Sequence, residues 1–596
     1  MQSQSVFIEG GTLFDGEGGE GRAVDVLVRD GKVAGFFERG RRAEVAPEAQ
    51  VIDATGCWVT PGFVDNHTHY DAELEVHPAL SESVRHGVTT VLIGSCGLSM
   101  AVGQPSDLAD MFCRVEGIPR AIVKPLFDRV KTWETPGEYL EHLRQLPLGP
   151  NVTAMLGHST IRAHVMGLGR SLSHRERPTP EEDQRMAALL EDALDQGYLG
   201  LSINTLPWDK MDGDDFRSRP TPSVFARWSE YRRLAKVLRR RRRVLQGVPN
   251  ISTKLNLLLF FGVSMGVLRP GLKTAMISMV DAKATRAAFR LAGALSVFFN
   301  RFLGANVRFQ SLPNPFDLWV DGMDVPVFEE FGAGTEALHV REWRDRQALL
   351  RDPAYRRRFR RDWGNWIYGR AYHRDLYEAR IVGCPEAELV GKTFGEVAEA
   401  RGVDPVDCLL DLLAEHGDAL RWYTVLGNDR PRWLEWIVQH PAAQIGFSDA
   451  GAHLRNMAYY NFPLRLLRLV REAELRGAPI MTVGRAVHRV TAEIADWLGI
   501  DAGHLAPGRR ADLVVVDPAG LDARVDAVEE ADMPGFPGLR RLVRRNDDAV
   551  RAVLVRGRVA FARGARDPAL GVEAGFGSVL VAEPVAVTGA PGAAGA

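Results

Sequence analysis

Residues Gly62 to His69 read Gly-Phe-Val-Asp-Asn-His-Thr-His, an apolar run closed by two histidines spaced i, i+2. On a β-strand, residues i and i+2 point to one face. Two imidazoles leaving a strand side by side can grip a single divalent metal. Alone, an H-x-H pair is as easily two polar loop residues. Its neighbours decide otherwise. His86-Gly87-Val88-Thr89-Thr90-Val91-Leu92-Ile93-Gly94-Ser95-Cys96-Gly97 reads as a helix end, a buried parallel-type strand, and a cysteine at its exit. Ala443 to His453 repeats the form, an apolar strand followed by Asp449 and His453. In a (β/α)8 barrel all strands run one way and their C-terminal ends meet at one mouth, where the chemistry is done. The pattern therefore predicts an α/β, (β/α)8 TIM-like barrel with His67, His69, Cys96 and Asp449 clustered from strands 1, 2 and 8.

Residues 1–62 have a different grammar of short strands and tight Gly turns, with Asp30-Gly31 between alternating runs as a hairpin signal. Ala511 to Asp517 and Val550 to Ala560 return to it. Neither end carries enough strands to stand alone. We expect a small discontinuous β-sandwich domain, with 1–62 as its first part and 481–575, including the last barrel helix, as its second. The barrel spans 63–480. Within it, Pro180 to Gln196 reads as a helix feeding a strand at Gly200 to Asn204. Residues 312–440 are too long for one loop and are expected to form a helical insert at the mouth, with Trp343, Trp363 and Trp366 as substrate wall or as packing. A flexible tail is expected over 576–596, most clearly from Pro584 onward.

These segments, taken together, resemble the amidohydrolase superfamily and, within it, the N-acyl-D-amino-acid deacylase (D-aminoacylase) group. The resemblance rests on Pro61 to His69, His86 to Thr90, Gly94-Ser95-Cys96-Gly97, Gly157-His158-Ser159-Thr160-Ile161-Arg162, Ser448-Asp449 and Pro507 to Val515. It implies that Cys96 takes the metal-bridging place held elsewhere by a carboxylated lysine. Two further metal histidines are expected of the group, from strands 5 and 6. The corresponding runs, Arg243 to Asn250 and Ala275 to Asp281, hold none, and no histidine lies between His174 and His339. The group's substrate-carboxylate lysine also has no clear counterpart; Lys283 is displaced and Arg455 is a positional candidate. One tight Zn²⁺ is therefore expected rather than a pair, with a substrate larger or less acidic than a simple N-acyl-D-amino acid.

Amide hydrolysis needs a nucleophile at neutral pH, an oxyanion stabiliser and an acid for the leaving amine. Bound Zn²⁺ lowers the pKa of water from about 15.7 to about 7 and polarises the carbonyl, and Asp449 is placed to move the proton. The alternative for Asp449 is a helix N-cap. His158, Asn204, Gln246, Asn250, His453 and Arg455 are the candidate substrate contacts; a core histidine is the competing reading of His158. The expected function is zinc-dependent hydrolysis of an amide in an N-acyl compound. One alternative is hydantoinase-like opening of a cyclic amide, which needs a strand 4 lysine absent from Leu199 to Asn204. The other is a metal-poor, non-catalytic binding protein.

The net charge of −2 offers no field for nucleic acid or an acidic membrane, and Arg239 to Arg243 reads as a solvated helix end in preference to a phosphate-binding patch. The five cysteines are scattered without a disulfide framework. The N-terminus reads as a strand rather than a signal peptide, and Leu255 to Leu268 is too interrupted to span a bilayer. A cytoplasmic protein is expected, with a small-molecule partner, no nucleic acid, no membrane insertion, and homo-oligomerisation left open.

Overall fold

The computed structural model describes residues 5–250, 253–365 and 369–583. Eight strands form its centre: β1 (Phe63–Asp65, continuing as His67–Thr68), β2 (Val88–Ile93), β3 (Asn151–Ala154, continuing as Leu156–Gly157), β4 (Gly200–Asn204), β5 (Val244–Val248), β6 (Lys273–Ile277), β7 (Asn306–Gln310) and β8 (Ala443–Gln444, continuing as Phe447–Ala450). Every neighbouring pair is parallel, from β1 on β2 round to β7 on β8. Phe447 of β8 then pairs with His67 of β1, so the first and last strands meet. This is an α/β protein of TIM-barrel type. Its strands read as continuous apolar runs because helices cover their outer faces. Val88–Ile93 and Gly200–Asn204 are buried throughout.

The connecting helices begin where the sequence places stop and start signals. Pro180–Gln196 opens on a capping box, in which Thr179 accepts from Glu182 N–H and Glu182 returns the bond, and it ends at Gly197 with φ +107°. The strands β1, β3 and β8 are each interrupted, and the ladder shifts register between Phe63 and Val64 and between Phe447 and Ala450.

Both chain ends enter one six-stranded sheet, in which Trp58–Pro61 pairs antiparallel with Leu513–Val516. A second sheet is made from the first 53 residues alone, with the Asp30-Gly31 turn joining Asp25–Arg29 to Lys32–Phe37. Val6, Ile8, Val26 and Val28 of this sheet share a core with Val59, Leu513, Val515 and Leu554 of the other.

Two expectations need correction, on the make-up of the insert and on the tail, and the choice left open for Trp363 falls to packing. The insert is not purely helical: Phe316–Asp321, Arg421–Gly427 and Arg380–Gly383 form an antiparallel sheet, and its helices pack on that sheet around a separate core. Trp363 is buried in that core rather than in a substrate wall, and the edge of Trp343 rests over Gly417; Trp366 lies outside the described residues. The segment expected to be flexible from 576 instead runs along the barrel as far as 583. Leu580 N–H donates to Val152 O and Ala582 N–H to Gly197 O, which satisfies backbone groups at the foot of β3 and β4. Pro584 to Ala596 lie outside the described residues.

Candidate metal centre and mouth cavity

His67 and His69 leave β1 toward the barrel mouth, Cys96 follows β2, and Asp449 ends β8. One donor atom each from His67, His69 and Cys96 lie within 4.8 Å of one another, and all three residues are buried. Cys96 Sγ is 3.3 Å from His67 Nε2. Asp449 Oδ1 lies 3.5 Å from His67 Nε2 and 3.4 Å from His69 Nε2. His453 Nε2 approaches the other oxygen, Oδ2, at 3.9 Å.

The backbone is bent to deliver these groups. Cys96, Asp449 and His453 have φ of +54°, +57° and +50°, the left-handed region that non-glycine residues rarely occupy. Each costs on the order of 1 kcal/mol, and such strain collects at functional sites. Glycines make the turns fit. A Cβ on Gly451 would meet His69 O at 2.2 Å, and one on Gly94 would meet Met155 O at 2.1 Å.

Gln310 on β7 sets the tautomer of His67. Its Nε2 donates to the backbone carbonyl of Asn66 at 2.9 Å, so its Oε1 must be the atom facing His67 Nδ1 at 2.8 Å. His67 therefore carries its proton on Nδ1 and presents a lone pair at Nε2. Burial pushes the His67 pKa down to about 4, against the pull of Asp449. The imidazole is neutral at pH 7, as a metal ligand must be. Burial also raises the Cys96 thiol, and Asp449 and Asp209 add to the effect. For Asp449, burial acts upward, but His69, His67 and His453 together hold the carboxyl below the usual range. It is a carboxylate at neutral pH. His69 Nδ1 is buried with no hydrogen-bond partner among the described residues.

Of the other expected residues, Gln246 on β5 lies behind the cluster. Its Oε1 accepts from Cys96 N–H at 3.3 Å and its Nε2 donates to Ser95 Oγ at 3.5 Å, which steadies the Cys96 turn. Asn204 at the end of β4 donates to Asp209 and accepts from Leu206 N–H. Asn250, past the end of β5, donates its backbone N–H to Thr205 Oγ1 and Asn256 Oδ1. Two residues do not join the site. His158 is fully buried with Nδ1 on Ser223 Oγ at 3.0 Å and Nε2 on Glu230 Oε1 at 2.9 Å, so neither nitrogen is open to a substrate. Arg455 is neutralised by Asp321 at 2.8 Å and Glu530 at 2.9 Å.

Besides Gln310, two groups at the mouth were missed. Asp209, in the loop after β4, is raised by burial and interacts with His453, His69 and Asp449. Beside it, Lys210 is half-buried and its pKa is lowered by desolvation. Both line a cavity of about 180 Å³ at the mouth, with Trp208, Arg114, His453 and the insert residue Glu329. The Trp208-Asp209-Lys210 triplet, directly after a barrel strand, was the available signal.

The chain carries an amidohydrolase-family domain. A family model described as "Amidohydrolase family" matches residues 50–222. An uncharacterized protein of Mycobacterium tuberculosis is 48% identical over 563 residues, 94% of this chain and 92% of its own length. The N-acyl-D-aspartate deacylase of Alcaligenes xylosoxydans xylosoxydans is 36% identical over 205 residues, 33% of this chain and 36% of that enzyme. The fold is shared with the N-acyl-D-glutamate deacylase of Bordetella bronchiseptica, solved with zinc and a phosphonate inhibitor. That likeness has a TM-score of 0.64 at 23% identity and covers 98% of this chain and 100% of the other.

Proposed function

We propose that this protein is a zinc-dependent hydrolase of a carbon–nitrogen amide bond in an N-acyl compound, with one tightly held ion. The observation that carries the reading is the convergence of His67, His69 and Cys96 donors on a shared point, with the Asp449 carboxylate against both imidazoles. This donor set of imidazole nitrogen and sulfur suits zinc. His67, His69, Cys96 and Asp449 would hold the ion, which when bound supplies Lewis acidity and an activated water near neutral pH.

The chain's own groups supply the rest. Asp449, a carboxylate at the working pH, takes the proton of the attacking water on one oxygen and returns it to the leaving nitrogen. Gln310 keeps the His67 proton on Nδ1, and Gln246 holds the Cys96 turn. Asp209, Lys210 and His453 border the space where the substrate enters, with insert residues forming the opposite wall. A single ion follows from β5 and β6. Neither strand carries a histidine, and the β5 residue Gln246 has its amide engaged by Cys96 N–H and Ser95 Oγ. A cyclic-amide reading lacks its bridging lysine, since the last residues of β4 are Ser202, bonded to Gly94 O, and Asn204, bonded to Asp209. We assign the chemistry to the barrel at 63–480 and a supporting role to the β domain of 1–62 and 481–575.

The test is zinc content per chain together with a screen of N-acyl amides. About one zinc per chain is expected, lost in His67→Ala and His69→Ala. Asp449→Asn should fold, retain metal and lose about 10²- to 10⁴-fold in rate. A zinc-loaded protein that hydrolyses no amide, or Asp449→Asn at full rate, would overturn the assignment.

A further inference from the structure

The whole-chain charge of −2 hides a strong segregation. Between Arg232 and Arg308 stand sixteen lysines and arginines against one acidic residue, Asp281. That aspartate is buried and bonded to Arg430. The rest of the chain is correspondingly acidic.

This stretch forms one side of the barrel wall. Its helices Trp228–Arg240, Lys254–Ser264 and Ala288–Phe302 are neighbours: Trp228 packs on Phe260 with ring centroids 5.1 Å apart, and Phe261 on Phe299 at 4.8 Å. Arg239 reaches across to the carbonyls of Val263 and Met265.

The outer face of the same wall is apolar. Leu255, Leu258, Leu268, Leu291, Phe298 and Phe302 are all exposed, from 45% for Leu258 to complete exposure for Leu268. They are six of eight exposed large apolar residues in a stretch of fewer than fifty, while nine more are scattered over all other described residues. Scattered exposure is ordinary, but this concentration on neighbouring helices marks an interaction surface. Arginines and lysines are interspersed with it. Several basic side chains on these helices are paired, such as Arg233 with Asp183 and Arg240 with Glu191. Arg232, Lys236, Arg242, Arg269, Arg290 and Arg301 are exposed and, among the described residues, have no carboxylate within 4.0 Å. A groove of about 410 Å³ runs between the first two helices, with Leu258, Leu259 and Val263 on one side and Arg232, Lys236 and Arg269 at its edge.

We propose that this wall docks onto the surface of an anionic phospholipid bilayer. Exposed leucine and phenylalanine side chains enter the headgroup–acyl boundary while the unpaired cations meet lipid phosphates. No helix is long and apolar enough to cross a membrane, so the contact is interfacial. Charge decides against a second copy of the chain. A two-fold dimer through this face sets the same cationic patch against itself. Exposed phenylalanines and leucines with no exposed acid among them are equally poor partners for water. The patch starts near the barrel mouth, since Leu255 lies seven residues beyond the end of β5.

Flotation of the zinc-loaded full-length protein with vesicles tests this. Vesicles of phosphatidylcholine with 30% phosphatidylglycerol should carry the protein; pure phosphatidylcholine should not. Raising NaCl from 0.1 to 0.5 M should weaken binding at least tenfold. Arg269→Glu/Arg301→Glu and Phe298→Ser/Phe302→Ser should each do the same, and Leu268→Ser, at a fully exposed turn, should lower binding without any burden on folding. Hydrolysis of a water-soluble amide should be unchanged in all three. Failure to float with anionic vesicles overturns the proposal. So does equal binding to neutral vesicles, binding to heparin or RNA alone, or a dimer that the same substitutions dissociate. None of these outcomes depends on the substrate reading.

Discussion

His67, His69, Cys96 and Asp449 were legible because each follows an apolar strand in the sequence, and barrel topology forces such positions to one mouth. Gln310 was not legible, although it fixes the tautomer of His67. It is 243 residues away, and nothing in Val307-Arg308-Phe309-Gln310 distinguishes it from any strand end until the barrel closes. The left-handed φ values at Cys96, Asp449 and His453 were equally hidden: Asp and His are enriched in that region, but few of them adopt it and nothing in the flanking sequence marks these positions. His158 shows the opposite error: a histidine at a strand exit that the fold uses up on Ser223 and Glu230. Gln310→Met removes the acceptor from His67 Nδ1 while keeping volume. We expect zinc affinity to fall about 10- to 100-fold, measured by competition with a chelator, with little change in folding. Gln310→Glu keeps an acceptor and should retain most of the affinity. Equal affinity in Gln310→Met and the parent protein would remove Gln310 from the ligand network.

At the scale of elements, Ser81–Arg85 is a short helix of only five residues, and its place is fixed by charge from far along the chain. Glu82 Oε2 accepts from Arg545 Nη2 at 2.7 Å, and Glu82 Oε1 lies 3.3 Å from His86 Nε2. Burial alone would raise the Glu82 pKa, but the bonds from His86 and Arg545 overcome it and hold the carboxyl well below its ordinary value of 4.5. A folded-state pKa below the unfolded one stabilises the fold above about pH 4.5, and that contribution is lost as pH falls through the folded value. Glu82→Gln should therefore lower stability at pH 7 by about 1.5–3 kcal/mol, the range for hydrogen bonds to charged groups. The gap between variant and parent should narrow in acid below pH 4. Urea midpoints at pH 7 and pH 3.5 read both quantities, and a gap that widens in acid would contradict the sign. The helix end at His86-Gly87 was legible but this partner was not, because Arg545 is one of many arginines in a loop with no periodic signal.

At the scale of the whole molecule, the barrel, the β-rich ends and the insert as a separate body could all be read from changes in sequence grammar. The strands inside the insert could not. Phe316–Asp321 and Arg421–Gly427 pair across about a hundred residues, and the third strand, Arg380–Gly383, is four residues long. The same long connections explain the misplaced role of Arg455. It follows the Asp449 motif closely enough to suggest a substrate contact, yet the folded chain spends it on Asp321 of the insert and Glu530 of the C-terminal part. Arg421 bonds the same two carboxylates, at 2.8 and 3.0 Å. The four side chains make a clamp between three distant segments, next to insert residues Asp324 to Glu329 that wall the mouth cavity. Each pair is partly exposed, so each contributes little alone, about 0–1 kcal/mol; the network acts on position more than on stability. Arg455→Met should leave the unfolding midpoint nearly unchanged. Amide hydrogen exchange around Asp321 should quicken, because that carboxylate loses one of its two arginine partners. For a substrate bearing a carboxylate, KM should shift less than about threefold, as for its neutral analogue. A selective rise of tenfold or more in KM for the carboxylate substrate, with exchange unchanged, would return Arg455 to the substrate site and remove it from the clamp.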